Sequence, residues 1–178
     1  MPYITKEELV NDKRFYIDER NINRLIKEHP VKSYSVRYIK VGMILRKYSH
    51  CNNVAPLCQT NVYKYLEGGE DGKKAYEEFR KICNYSPLRS EDIYNNLIEQ
   101  IENSDYDLHK GAIVVDQYNL ILDGMHRSSI LLHKYGANHK IQVVQFNNVY
   151  SIRPDYFLTR IKTVIAYIKA WIYCKKSK

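Results

Sequence analysis

The sequence has no long apolar run, no Cys-x-x-Cys pair, no internal repeat and no low-complexity tract. A membrane-spanning helix needs about 18 uncharged apolar residues, and nothing at the start resembles a secretory signal, so we expect a cytoplasmic protein. The four cysteines, at positions 51, 58, 83 and 174, lack the spacing of a zinc knuckle or a redox pair. We therefore expect them to be free thiols in a reducing compartment.

The composition indicates one globular domain. The chain has 178 residues, of which 44% are hydrophobic and 27% charged, which is enough apolar material for a core. Its formal net charge is +8. This charge favours anionic partners: nucleotides, nucleic acid, phosphorylated metabolites or an anionic membrane surface.

The residue patterns predict alternating helices and strands. Helices are predicted within 1–30, at 73–83, from Ser90 to about 102, at 125–135 and at 155–174. Ser90 is a suitable N-cap, and Ile93, Leu97, Ile98 and Ile101 form the expected buried stripe. Strands are predicted at 34–45, 112–115, 120–122 and 141–146, and a loop region at 51–72 with at most one short helix near 61–66.

One short segment, 121–129, combines the end of a strand, a tight turn and a helix start with charged and hydroxyl side chains. The first turn of a helix has unpaired N–H groups and a partial positive charge, so it attracts anions. His126 and Arg127 add donors there, and Arg127 can contact two phosphate oxygens at once. Gly124 allows the backbone to approach a ligand closely. The segment therefore predicts a phosphate-binding site.

Asp123 needs a separate explanation because a carboxylate repels a phosphate. It has a role there if it binds a metal ion or accepts a proton from an attacking hydroxyl. Each residue type in the segment is also common in ordinary turns and helix starts. Their combination on one strand-to-helix turn favours a functional site.

Residues 111–146 resemble the ParB/sulfiredoxin superfamily. Their sequence is G-A-I-V-V-D-Q-Y-N-L-I-L-D-G-M-H-R-S-S-I-L-L-H-K-Y-G-A-N-H-K-I-Q-V-V-Q-F. In that superfamily an apolar strand and a second strand lead through a Gly-x-(His/Arg)-Arg turn into a helix, a glycine and a last strand. The resemblance implies an α+β fold with a small mixed sheet and flanking helices. It places a nucleotide-binding domain at 31–150, between an N-terminal helical extension at 1–30 and a C-terminal amphipathic helix at 151–178.

Two departures from the superfamily's pattern exclude two of its classes of protein. Sulfiredoxins have a catalytic cysteine before the His-Arg pair, where this chain has Met125, so their chemistry is excluded. Chromosome-partitioning ParB proteins have an arginine-rich turn and a downstream DNA-binding domain, for which the residues after Phe146 are too few. The Asp-Gly-x-His-Arg pattern at 123–127 is most similar to the free-serine kinases of the superfamily.

The kinase resemblance implies roles for individual residues. Asp123 and His126 would be catalytic, together with Glu91, which is nearest in position to a glutamate that these kinases use. The donor nucleotide would be held by Gly124, Met125, His126, Arg127, Ser128, Ser129 and Arg89. A Mg²⁺ ion bridging the donor phosphates would have Asp123 or Asp116 as ligands.

The implied reaction transfers a phosphoryl group from ATP or ADP, with CTP as another donor, to a hydroxyl of an amino acid, sugar or polyol. Envelope polysaccharide biosynthesis is one setting for it. Two alternatives stay open: a nucleotide-binding switch or adaptor without transfer, and a ParB-like nucleic-acid-binding protein. The carboxylate of Asp123 disfavours nucleic acid because it repels a phosphate backbone. The lack of a clear second glutamate favours the switch over the kinase.

The C-terminal segment, 157–178, has an apolar stripe with helical spacing and basic residues beside it. Leu158, Ile161, Val164, Ile165, Ile168, Trp171 and Ile172 form the stripe. Such a helix packs its stripe on the domain, or it binds a partner or an anionic membrane surface, the latter making the protein peripheral at the inner face. Binding of nucleic acid by its basic residues is a further alternative.

Overall fold

The structure is a computed structural model that describes residues 3–28, 31–48, 53–148 and 154–173. In chain order these form α1 (Lys6–Val10), α2 (Glu19–Glu28), β1 (Val31–Lys40), β2 (Leu45–Tyr48), β3 (Asn53–Pro56), α3 (Asn61–Glu67), α4 (Gly69–Ile82), α5 (Glu91–Asn103), β4 (Val114–Asp116), β5 (Ile121–Asp123), α6 (Met125–Tyr135), β6 (Lys140–Asn148) and α7 (Pro154–Tyr173). The predicted α+β class is confirmed.

The central sheet has four strands in the order β1-β6-β4-β5. β6 pairs antiparallel with β1 and parallel with β4, and β5 lies antiparallel to β4 at the sheet edge. The sheet is thus small and mixed, as expected. β2 and β3 form a separate two-stranded antiparallel sheet.

Different helices cover the two faces of the central sheet. Successive residues of an extended chain point to opposite faces, so Ile113 and Val115 belong to one core cluster and Val114 to the other. The larger cluster includes buried side chains of α3 to α7. The smaller one includes Ile22 and Leu25 of α2, which are almost inaccessible to solvent. The N-terminal segment is therefore packed on the sheet.

The strand predicted at 34–45 is interrupted. β1 ends before a 3₁₀ turn at Val41–Met43. The N–H of Val41 donates to the carbonyl of His139, so the chain leaves the sheet edge to pair with the α6–β6 connection. The residues that follow begin the second sheet instead of extending the first.

Within 51–72, the short helix predicted near 61–66 is confirmed as α3, but the rest of the described part is not a loop, because it contains β3, a 3₁₀ turn and the start of α4. Thr60 caps α3 by accepting a hydrogen bond from the N–H of Tyr63 at 3.2 Å. Gly68, with a φ of +80°, ends this helix. The Asn, Pro and Gly residues that suggested a loop are here hairpin, turn and helix-end residues.

The predictions for the helices nearest the motif are confirmed. Ser90 caps α5 through the N–H of Ile93, and α6 spans Met125–Tyr135 with Gly136 at its C-terminal end. The buried residue in the first turn of α5 is Tyr94, whereas Ile93 is exposed. The buried stripe of α5 therefore begins one residue later than predicted.

The cysteines differ from the expectation of four free thiols. Cys83 is free and half-buried, but Cys58 is disulfide-bonded to a partner outside the described residues. In the parts of the chain that the structure describes, no helix is long and apolar enough to cross a membrane.

Candidate anion-binding site

The turn between β5 and α6 leaves the start of α6 open. Gly124 is the N-cap residue and has a left-handed conformation (φ +85°, ψ +25°), and no side chain caps the helix. The N–H of Ser128 donates to the carbonyl of Gly124 at 2.9 Å, which is the first intrahelical bond. The N–H groups of Met125, His126 and Arg127 precede it, so they have no acceptor within the helix.

Gly124 is required by space as well as by conformation. A Cβ atom at this position would lie 3.0 Å from both Cα and Cγ1 of Ile113. The turn therefore passes directly over the β4 strand start, and the open end of α6 is fixed to the sheet.

Ser128 and Ser129, whose N–H groups the kinase resemblance assigns to the donor phosphates, lie within the helix instead. The Ser128 hydroxyl donates to the carbonyl oxygens of Gly124 and Met125, both at 3.0 Å. Ser129 is fully buried, and its hydroxyl has no hydrogen-bond partner in the described structure. Neither residue lines the cavity described next. Because the N–H of Ser128 makes the first intrahelical bond and that of Ser129 follows it, the donors available to a phosphate are those of the three preceding residues.

A cavity of about 490 Å³ opens at the start of α6. Four arginines from separate parts of the chain line it: Arg24, Arg46, Arg89 and Arg127. Its apolar wall is formed by Phe79, Leu88, Ile93, Tyr94 and Leu97. Asp123 is the single carboxylate among the described lining residues. The lining of the cavity therefore combines four guanidinium groups with apolar side chains.

Arg127 is held against the backbone of Gly111. A Cβ atom at Gly111 would lie only 2.5 Å from Nη1 of Arg127, so the absence of a side chain there makes room for the guanidinium group. The Nε atom of Arg127 is buried and has no hydrogen-bond partner in the described structure. Arg127 also lines the cavity.

The predicted catalytic residue Asp123 is half-buried at the cavity wall and is held by the N-terminal helix α2. Nδ2 of Asn21 donates to its Oδ2 at 3.3 Å, and Nη2 of Arg24 lies 3.7 Å from its Oδ1. The same Arg24 nitrogen donates to the carbonyl of Leu122 at 3.3 Å. Asn21 and Arg24 could not be recognised as site residues from the sequence, because no local pattern relates positions so far apart along the chain.

His126 lies at the cavity but its ring is engaged by an aromatic cluster. Nε2 of His126 is 3.2 Å from the hydroxyl of Tyr76, and the ring packs edge-on against Tyr94 at 4.7 Å between centroids. Burial, together with the positive charges of Arg89 and Arg127, lowers the pKa of His126 to about 4. The imidazole is therefore neutral at pH 7 and is engaged with Tyr76, so the donor that His126 offers to an anion is its backbone N–H.

Of the other two residues predicted for the site, Arg89 lies at the cavity and Glu91 lies outside it. Arg89 lines the cavity, with its guanidinium over the ring of Phe79 at 5.7 Å. Glu91 does not: its Oε1 accepts a hydrogen bond from the hydroxyl of Tyr65 at 2.6 Å, and it lies on a separate shallow surface. The structure therefore does not bring Glu91 to Asp123.

Asp116, the second predicted metal ligand, lies at the opposite end of the β4–β5 hairpin. It is fully buried, and its Oδ1 accepts hydrogen bonds from the N–H groups of Tyr118 at 2.7 Å and Leu120 at 2.8 Å. These bonds close the hairpin turn. Asp116 does not line the cavity, so of the two predicted metal ligands only Asp123 lies there. The described residues contain no cluster of three or more metal-ligating side chains.

Comparison with protein-family models, curated proteins and solved structures gives no significant match to this chain.

Proposed function

We propose that the chain binds a nucleotide by its phosphates in this cavity and transfers a phosphoryl group to a hydroxyl of a small molecule, as the resemblance to ParB/sulfiredoxin kinases implies. The observation that carries the proposal is the open start of α6. Its unused N–H groups at Met125, His126 and Arg127 lie at the wall of a cavity lined by four arginines. Helix N-termini and arginine side chains are the two commonest means of holding phosphate groups.

The cavity has the volume and the mixed basic and apolar lining that a nucleotide requires. Its volume of about 490 Å³ lies within the usual range of small-molecule sites, about 300–1,000 Å³. The guanidinium groups of Arg46, Arg89 and Arg127 match the phosphates of a nucleotide. Apolar lining residues such as Tyr94 and Leu97 match its base.

Asp123 is the group that accepts the proton during transfer. The acceptor hydroxyl gives its proton to the Asp123 carboxylate while its oxygen forms a bond to the phosphorus atom. The bond from phosphorus to the leaving nucleotide oxygen breaks, and the electron pair stays on that oxygen. Arg127 and the N–H groups of α6 stabilise the charge that develops there. Asn21 and Arg24 orient the carboxylate.

The residues at the cavity do not fit a Mg²⁺ site built by the protein. Asp123 is the only carboxylate among the described lining residues, and Arg24 lies beside it. Mg²⁺ sites commonly use carboxylates together with substrate phosphates, and a guanidinium beside the one carboxylate opposes the binding of a cation. In this proposal the arginines neutralise the phosphate charge, and no step uses a metal.

The second candidate is a nucleotide-binding protein without transfer. The observation that favours it is the position of Glu91, which is bound to Tyr65 and does not line the cavity. The site then has one carboxylate where the kinases that it resembles use two. Binding and transfer must therefore be measured separately.

The test begins with the thermal shift of the full chain with ATP, ADP and CTP, followed by transfer assays with pooled hydroxyl amino acids, sugars and polyols. We expect at least one nucleotide to raise the melting temperature, and Arg127→Ala to abolish that shift. Asp123→Asn should keep the shift and lower transfer by about 100-fold or more.

Glu91→Gln is the matched control because it removes a carboxylate outside the cavity. We expect it to leave both binding and transfer unchanged. Binding without transfer in the wild-type chain would support the second candidate. If no nucleotide shifts the melting temperature, both candidates fail.

A further inference from the structure

Helix α7 contacts the rest of the fold through small side chains. Thr163, Ala166 and Ala170 are 4%, 0% and 4% exposed. The hydroxyl of Tyr167 donates to the carbonyl of Tyr118 at 2.6 Å, which anchors this side of the helix. Small residues let the helix backbone approach the domain closely, and the partly buried ring of Tyr167 packs against the same core.

The opposite side of α7 is apolar and faces solvent. Its exposed side chains range from 41% for Ile172 to 66% for Trp171. We call this surface the apolar face of α7; it consists of Ile161, Val164, Ile165, Ile168, Trp171 and Ile172. The sequence left open whether this stripe packs on the domain, and in the structure its described side chains, from Ile161 to Ile172, are exposed. A contiguous exposed apolar surface of this kind marks an interaction site.

Basic residues border the apolar face. Lys162 and Lys169 are seven residues apart and therefore lie on the same flank of the helix. From residue 156 to residue 178 the sequence contains no Asp or Glu, and its basic residues are Arg160, Lys162, Lys169, Lys175, Lys176 and Lys178. An apolar stripe bordered by cations matches a bilayer interface, where acyl chains lie beneath anionic headgroups.

We propose that α7 binds the surface of an anionic phospholipid bilayer, lying in the interface with its apolar face toward the acyl chains. A second copy of the chain fits this surface less well. An antiparallel twofold pairing of the apolar faces would bring the same basic flanks together, and like charges across an interface repel. Phospholipid headgroups supply the opposite charge. The proposal does not depend on the activity of the cavity.

Trp171 provides a direct readout because it is the only tryptophan of the chain. The full chain is titrated with vesicles of phosphatidylcholine alone and with vesicles of equimolar phosphatidylcholine and phosphatidylglycerol. We expect a blue shift of the Trp171 emission and co-sedimentation with the anionic vesicles only. Lys169→Gln should weaken this binding about fivefold, because each basic residue near an anionic surface contributes about 1 kcal/mol.

The double variant Ile165→Gln/Ile168→Gln changes the apolar face while keeping the tryptophan. We expect its vesicle partition coefficient to fall by about tenfold or more. Ile82→Gln is the matched control, because Ile82 is 62% exposed on α4, away from this face. Thermal melts confirm that each variant is folded.

Several results would overturn the proposal. These are unchanged vesicle binding by the double variant, equal binding to phosphatidylcholine alone, and no binding by the wild-type chain. Self-association of the wild-type chain in sedimentation velocity, lost in the double variant, would assign the apolar face to a second copy instead.

Discussion

The hydroxyl of Tyr76 lies 3.2 Å from Nε2 of His126, and this contact joins the start of α6 to the aromatic side chains of α4 and α5. Burial raises the pKa of Tyr76 and lowers that of His126, so both groups are neutral at pH 7. The histidine of the motif thus positions the helix start. The charge at the cavity is supplied by arginines.

The first prediction concerns the dependence of stability on pH. The folded-state pKa of His126 is about 4, below the usual 6.5, so the unfolded chain binds a proton more readily. The stabilisation is complete above pH 6.5 and is lost as the pH falls toward 4, by up to about 1.4 kcal/mol per pH unit. Urea unfolding at pH 7, 6 and 5 should show this slope, and His126→Phe should reduce it.

Tyr76→Phe is the control for this prediction. It removes the hydroxyl but keeps the imidazole and most of its burial, and burial is the main cause of the pKa shift. The slope should therefore persist in Tyr76→Phe. Equal slopes in the wild-type chain and in His126→Phe would contradict the assignment.

The second prediction separates backbone strain from close packing at the turn. Gly124→Ala places a side chain at a φ of +85° and 3.0 Å from Ile113, so we expect a loss of about 2–4 kcal/mol in the free energy of unfolding. Gly69→Ala has a similar φ of +72° with nothing within 4 Å, and should cost about 1–2 kcal/mol. Equal losses in the two variants would show that the contact with Ile113 is unimportant.

The third prediction tests whether the guanidinium group of Arg127, placed against Gly111, binds phosphate. Arg127→Lys loses the two-pronged contact with phosphate, so nucleotide affinity should fall about 10- to 100-fold in calorimetric titration. Gly111→Ala should also lower the nucleotide affinity, because the added Cβ would occupy space that the Arg127 guanidinium group fills. Arg20→Lys, on the exposed side of α2 beside Asp18, should bind as the wild type does. An undiminished affinity in Arg127→Lys would remove Arg127 from the site.

The fourth prediction concerns the N-terminal segment. Leu25 is 0% exposed beneath the sheet, and Leu25→Ala should lower the free energy of unfolding by about 2–4 kcal/mol in a single cooperative transition. Val10→Ala, at a position that is 48% exposed on α1, should change it by less than about 0.5 kcal/mol. A separate low-stability transition in Leu25→Ala would show that residues 1–30 fold independently of the sheet.

The parts of the structure that the sequence predicted well are those with local causes. The bounds of α6 follow from a glycine at each end, and the start of α5 follows from Ser90. Arg24 and Tyr76 could not be assigned to the site in this way, because tertiary packing brings them there from other elements. The periodicity of α7 predicted its apolar stripe, but not that its alanines would form the contact with the domain.

The bonds that position Asp123 have a thermodynamic consequence. Asn21 and Asp123 are 102 residues apart in the chain, and Arg24 and Leu122 are 98 apart. Contacts of such long range require most of the intervening chain to be in place. The carboxylate is therefore oriented only in the completed fold, and an anion that binds beside it stabilises the native state as a whole. Affinity for that anion and resistance to unfolding form one thermodynamic cycle.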